Sequence, residues 1–267
     1  MMKEQKEPSN IGIVYPSPVF GPVKSRRLGI SLGINLMPAD GKVCSFDCIY
    51  CECGFNAQHR PKLPRPTCAE VVEALRTKLQ HLQAQGIQPD VLTFAGNGEP
   101  TLHPQFAEII DNVLALRNSF CPQAKVSVLS NATTCMRPEV KAALLKVDNN
   151  IQKLDTVSPN YITLVDRPLG HYCVKEIVAA LCAFHGHVII QTLFMKGLSG
   201  GQNVDNTTDA HVLPWLDALK AIQPEQVMVY TIDRLTPEPL LQKATPEELD
   251  RIADKLRHEG LQVEVAY

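Results

Sequence analysis

The 267-residue chain has no excess of charge of either sign. Its 26 Lys and Arg stand against 28 Asp and Glu, a formal net charge of -2. A strongly electropositive surface is therefore not required, and composition alone gives no support for nucleic-acid binding. No apolar run approaches the ~20 residues of a bilayer-spanning helix. Met1 to Asn10 is polar and mixed in charge, without the apolar core of a secretory signal. A soluble cytoplasmic protein with no membrane partner is expected. The regular, even-numbered cysteines of a disulfide scaffold are also missing: the nine cysteines are irregularly spaced, which fits reduced thiols plus one metal site. What remains is an ordinary globular composition, 45% apolar and 20% charged, in a length that suits one large domain or two small ones.

What is there is an alternation of strand and helix patterns. Residues 1–14 read as a flexible tail, and 15–267 as a single core domain. Pro16, Pro18 and Pro22 punctuate an extended approach, in which Arg26 and Arg27 read as solvated, with anion binding the alternative. Ile30 to Leu36 shows period-2 features and is taken as the first strand. Thr67 and Glu70 form a capping box that opens a helix, with Val72, Leu75, Leu79 and Leu82 at helical spacing. Strands follow at 91–94, 125–129, 151–154, 187–194, 226–231 and 261–266. Helices are expected between them, one starting at Pro138 and another at the Thr245–Glu248 capping box. This makes six βα units plus a terminal strand. The length favours a partial (βα)6 TIM-like barrel over an open doubly wound parallel sheet, and both would gather ligands at the carboxyl ends of the strands.

Cys44, Cys48 and Cys51 stand at C-x3-C-x2-C spacing in the loop after the first strand, with Tyr50 just before the third. Three local thiolates can hold one metal centre, and a four-iron cluster held by three cysteines leaves one iron open for chemistry. A structural zinc with Cys53 or His59 as fourth ligand is the alternative, but Cys51-x-Cys53 is tighter than the pairs usual at zinc. Gly96-Asn97-Gly98-Glu99-Pro100 ends the next strand, and Ser130-Asn131-Ala132-Thr133 ends the one after.

These motifs together resemble the radical S-adenosylmethionine (radical SAM) superfamily: the cysteine triad with its aromatic, a G-G-E-P-type turn with Asn97 in place of the second glycine, and an S-N-G-T-like strand end. Phe20-Gly21-Pro22, Ser25 to Gly29 and Tyr230 to Arg234 look most like the branch related to wyosine-forming tRNA enzymes. That branch carries a second cysteine triad ahead of the radical motif, and no cysteine precedes Cys44. The resemblance implies an enzyme in which Cys44, Cys48 and Cys51 hold a [4Fe–4S] cluster. The cluster's open iron would chelate S-adenosylmethionine and cleave it reductively to a 5′-deoxyadenosyl radical. That radical would abstract hydrogen from an unassigned substrate, whether small molecule, peptide or tRNA. It further implies cofactor contacts from Tyr50, Gly96, Asn97, Gly98, Glu99, Ser130 and Asn131. By their strand positions Asp155 and Gln191 are also read as cofactor contacts, Lys153 pairing with Asp155; a surface salt bridge is the alternative for that pair and a core position for Gln191. Substrate contacts are expected from Asp233 and Arg234, and an electron donor such as reduced flavodoxin or ferredoxin is implied. An iron–sulfur electron carrier or a zinc-binding interaction module is the reading from another class; the glycine turn and the barrel would then have no purpose.

Overall fold

The computed structural model describes residues 12–25 and 29–267; Arg26, Arg27 and residues 1–11 of the expected tail lie outside the described residues. Among the described residues, ten strands form one sheet. Its path runs β1 (Val19–Ser25), β2 (Gly29–Ile34), β3 (Val91–Phe94), β4 (Lys125–Ser130), β5 (Asn149–Lys153), β6 (Ile189–Ser199), β8 (Gln226–Thr231), β10 (Val263–Ala266). From β2 to β10 every pairing along this path is parallel, while β1 lies antiparallel to β2. Two short strands, β7 (Gln202–Asn203) and β9 (Leu241–Lys243), pair antiparallel with the far end of β6. The helices are α1 (Cys68–Ala84), α2 (Phe106–Phe120), α3 (Pro138–Leu144), α4 (Pro159–Tyr161), α5 (Val174–Cys182), α6 (Asp209–Ile222) and α7 (Pro246–His258). A π-helical turn, Ile162–Asp166, continues α4.

The strand order settles the architecture. A doubly wound sheet needs a reversal of order at which helices switch faces. Here the parallel strands follow each other without reversal, and right-handed crossovers then put every helix on the same side. The path ends at β1 and β10 without joining them, so the sheet is the partial six-unit barrel that the alternation of patterns predicts.

Each strand presents alternate side chains to the two faces. The outer face carries Leu32, Ile34, Leu92, Phe94, Val126 and Val128 against Leu75, Leu79, Ile109 and Val113 of α1 and α2, in one large apolar cluster. The inner face is built in levels, as β5 shows. Asn149 donates to the Ser127 hydroxyl (2.8 Å), beside a Ser31–Thr93 hydroxyl pair (2.8 Å). One step along, Ile151 packs with Leu129, Ile189 and Met228 as an apolar plug. The next inward residue is Lys153, which opens the upper level of the barrel.

Both expected capping boxes form, with the Thr67 and Thr245 side chains accepting from the backbone of Glu70 and Glu248. Pro138 occupies the first turn of α3, whereas Pro214 lies inside α6 rather than starting it. The proline-punctuated approach conceals β1, which uses the edge position that tolerates Pro22. The first parallel strand is shorter than expected, and β6 runs five residues past Phe194, to Ser199, where β7 and β9 pair with it. Trp215 of α6 ties the outer layer to the end of β5: it is buried, its indole N–H donates to the Leu154 carbonyl (2.9 Å), and it meets Phe194 edge-on at 5.4 Å. Trp215→Ala should cost about 3–5 kcal/mol in urea denaturation, whereas Thr245→Ala should cost about 1 kcal/mol.

Candidate active site

The cysteine loop follows β2 and is laid directly on the turn that ends β3. Val43 donates to the Asn97 carbonyl (2.9 Å) and accepts from the Glu99 N–H (3.0 Å), pairing with Gly98 as an isolated parallel bridge. This approach explains the glycines. A Cβ on Gly98 would stand 1.9 Å from the Val43 carbonyl oxygen, and one on Gly96 would stand 2.7 Å from the Asn35 side chain. Both residues also take φ near +130°, where only glycine is at ease. Asn97 is buried, and its side chain is committed to the backbone. Its Oδ1 accepts from Tyr15 N–H (2.7 Å), and its Nδ2 donates to the Tyr15 (2.8 Å) and Pro38 (2.9 Å) carbonyls. Asn97 thus clasps the approach segment instead of facing a ligand.

Glu99 is buried, accepting from the N–H groups of Asn131 (2.7 Å) and Thr101 (3.1 Å) and from the Thr101 hydroxyl (2.5 Å). Burial raises its pKa, against the pull of these donors. Asn131 continues the chain of contacts toward the cysteines. Its Nδ2 donates to the Ser45 hydroxyl (2.9 Å) and lies 3.5 Å from the Cys44 sulfur. Ser45 and Thr133 share a hydroxyl hydrogen bond (2.7 Å). Ser130 accepts from the Ala132 N–H (3.1 Å), and Ala132 takes the left-handed conformation (φ 65°) where the resembled motif has glycine.

Each of the three thiols has a different environment. Burial, and next the Glu99 charge, push Cys44 up to about 12. Cys48 is raised well above the usual thiol value by burial, although Lys153 Nζ lies 3.4 Å from its sulfur. Cys51 is held down at about 6, first by a hydrogen bond from the Cys53 thiol and then by Lys42. Lys42 itself is buried and donates to the Gly54 carbonyl (2.7 Å). Burial would lower its pKa, but the sulfurs of Cys51, Cys44 and Cys48 outweigh that and raise it, so all three thiols lie within electrostatic reach of one ammonium. Cys53 is buried as well, its thiol donating to the Gly96 carbonyl oxygen (3.3 Å).

Across from the cysteines, the upper barrel holds a charged cluster. Lys153 is paired with Asp155 (3.3 Å) and closely with Asp166 of the π-helical turn, and its ammonium lies over the Phe46 and Tyr50 rings at 4.6 and 5.3 Å. Asp166 also accepts from the Cys48 thiol (3.8 Å), and burial raises it to about 6 despite the Lys153 charge. The Tyr50 hydroxyl donates to Asp155, whose other oxygen accepts from the Leu193 N–H (3.0 Å). Gln191 lies at the same height, its carbonyl accepting from Leu154 N–H (3.1 Å). Tyr50 borders an apolar wall of Ile49, Tyr161, Val165, Leu193, Met195 and Val204.

The structure thus brings Cys44, Cys48, Cys51, Tyr50, Glu99, Ser130, Asn131, Asp155 and Gln191 together at the strand ends. It gives Asp233 and Arg234 other contacts: Asp233 pairs with Lys243 (3.8 Å), and Arg234 bridges Tyr15 (2.7 Å) and Glu52 (2.8 Å), beside the cysteine loop. Lys42 and Asp166 were not singled out in the sequence. Lys42 carried a usable signal, a basic residue two positions before the triad. Asp166 carried none, because its position depends on the irregular turn after α4.

The donor set fits an iron–sulfur cluster. The sulfurs of Cys51, Cys44 and Cys48 all act on the one Lys42 ammonium, and neighbouring cysteine thiolates are the ligands that such a cluster takes. The fold is the partial barrel also found in radical SAM enzymes. A radical SAM methyltransferase from Sphaerobacter thermophilus superposes with a TM-score of 0.64 at 14% identity, over 89% of this chain and 66% of that one. Streptococcus suis SuiB bound to S-adenosylmethionine gives 0.61 at 13%, over 87% and 50%. Archaeal TYW1 gives 0.52 at 14%, over 85% and 71%. At such identities the likeness is one of fold. In sequence, the chain is 33% identical to a UPF0026 protein of Helicobacter pylori (strain J99) over 221 residues, covering 81% of this chain and 66% of that protein. It is 30% identical to a UPF0026 protein of Synechocystis over 226 residues, covering 83% and 77%. The chain belongs to the UPF0026 family; it spans about two thirds of the length of the Helicobacter relative. No family model matches it. Among the described residues no helix is long and apolar enough to cross a membrane.

Gly98→Ala should cost at least about 2–3 kcal/mol, from strain at positive φ together with the collision with Val43. Limited proteolysis should then cut the cysteine loop faster than in the parent chain. A variant of parental stability and protease resistance would show that the loop is not docked on this turn.

Proposed function

We propose that this chain is a radical SAM enzyme. The observation that carries the reading is the convergence of three thiols, a buried carboxylate (Glu99) and a lysine between two aspartates at the carboxyl ends of parallel strands, where such barrels bind ligands. Cys44, Cys48 and Cys51 are the residues that would hold a [4Fe–4S] cluster, and Tyr50, Glu99, Ser130, Asn131, Asp155 and Gln191 those that would surround S-adenosylmethionine. When bound, the pair supplies one-electron cleavage of the S-adenosylmethionine sulfur–carbon bond and, through it, hydrogen abstraction.

The chain's own residues provide the surroundings. Glu99 is an acceptor for an ammonium, and the Asp155 carboxylate, fixed by Leu193 N–H and Tyr50, is an acceptor for hydroxyls. Asn131 and Ser45 hold the Cys44 side of the loop in place. The apolar wall behind Tyr50 keeps water from a reactive centre. Glycines 96 and 98 serve this indirectly, by letting the cysteine loop settle on its turn. A reduced flavodoxin or ferredoxin is the proposed electron source, and a small molecule or peptide the proposed substrate.

Anaerobic reconstitution should give a brown protein with about four irons per chain, which after reduction cleaves S-adenosylmethionine to 5′-deoxyadenosine, read by chromatography. Cys48→Ala should lose the cleavage. One zinc and no iron would overturn the reading. A retarded band with tRNA at moderate salt would move the substrate to nucleic acid.

A further inference from the structure

Two lysines are buried beside the cysteines, and they are balanced differently. Lys153 sits between Asp155 and Asp166, two carboxylates for one ammonium. Lys42 has no such pair. Its side chain is 2% exposed, and its close partner is the neutral Gly54 carbonyl at 2.7 Å. The carboxylate that reaches toward it, Asp47, stands at 3.6 Å, with the same Oδ1 accepting the Asn56 N–H at 2.7 Å. A buried ammonium with so little compensation is costly unless another anion is close. The backbone places Lys42 against the cysteine turn. Gly54 N–H donates to the Cys51 carbonyl (2.9 Å) and Cys51 N–H to the Cys48 carbonyl (3.1 Å), so the oxygen that holds Lys42 belongs to the cysteine turn itself. Lys42 also lies two residues before Cys44.

We propose that Lys42 is the fixed counter-charge of the cysteine-held centre, a positioning residue whose ammonium favours the reduced state of that centre. This rests on the functional reading above. The potential of an iron–sulfur cluster depends on the net charge around it and on hydrogen bonds to its sulfurs. A cation close to the cysteine sulfurs and out of reach of solvent acts with little screening. Lys42 therefore makes the one-electron reduction easier, and Asp47 opposes it in part.

The test is an EPR-monitored redox titration of the anaerobically reconstituted full chain, with iron counted per chain. Lys42→Met should keep the iron and move the midpoint negative by at least tenfold in the reduction equilibrium, about 59 mV for one electron; Lys42→Arg should return it toward the parent value. Asp47→Asn should move it the other way. A loaded Lys42→Met with an unchanged midpoint overturns the assignment. Should Lys42→Met fail to take up iron, Asp47→Asn decides: a positive shift supports the counter-charge, and no shift overturns it. A parent chain that takes up no iron overturns the functional reading and this assignment together. A normal cluster in the parent with no shift in either variant overturns this assignment alone.

Discussion

The backbone contact between Val43 and Gly98 is the constraint on which the rest of the site depends. It is a piece of parallel pairing outside the sheet, with N–H and carbonyl groups of Val43 bonded to Glu99 and Asn97. Because no Cβ fits between the two chains, the long loop after β2 can lie flat on the turn after β3. Everything that follows in the loop inherits its position from there. Lys42 and Cys44 flank the contact, and Cys48 and Cys51 are carried by the turns that come next. From the other side of the contact, Glu99 reaches Asn131 at the end of β4, and Asn131 reaches back to Ser45 and Cys44. The ends of three neighbouring strands are thereby linked around the same few atoms, by hydrogen bonds that are mostly to backbone and so tolerate no change of register.

Charge arranges the upper barrel as backbone pairing arranges the loop. Three carboxylates, Glu99, Asp155 and Asp166, are buried around the thiols, and Lys153 lies among them with its side chain 14% exposed. Left alone, each would be expensive in so poorly hydrated a space. Glu99 is stabilised by backbone N–H donors, and the other three by one another. The short π-helical turn is what makes the second arrangement possible, since it delivers Asp166 to Lys153 and Cys48 from a segment that a regular helix would carry past them. Below this level, Leu129, Ile151, Ile189 and Met228 pack together as an apolar plug beneath these charges.

Much of this was legible in the sequence. The six βα units follow from alternating periodicities, and the cysteines, the G-N-G-E-P turn and the S-N-A-T strand end fall at one end of the barrel because loops after parallel strands must. Reading failed where a residue's role depends on a partner far along the chain. Asn97 looked like a tolerated substitute for glycine in a ligand loop; its amide is instead consumed by Tyr15 and Pro38, a pairing across 82 residues that no local pattern announces. Arg234 is expected at a strand end as a substrate contact, and its reach to Tyr15 and Glu52, 219 and 182 residues away, has no local signal. The strand β1 was hidden by prolines that an edge strand accepts. Asp166 was invisible because its placement comes from an irregular turn, and buried charge has no signature in composition.

The rim of the mouth bears on what can enter. β6 runs past its pairing with β8 and carries β7 and β9 there. Among the described residues, four cations around the mouth are paired with carboxylates. Arg167 meets Glu238 (3.4 Å), Lys196 meets Glu248 (3.0 Å), Lys243 meets Asp233 (3.8 Å) and Arg234 meets Glu52 (2.8 Å). A polyphosphate backbone gains its affinity by exchanging condensed counterions for protein cations, and here each of these cations would first have to give up a carboxylate. The same pairs present acceptors and donors side by side, an arrangement that suits a neutral or zwitterionic ligand as well as it resists a polyanion.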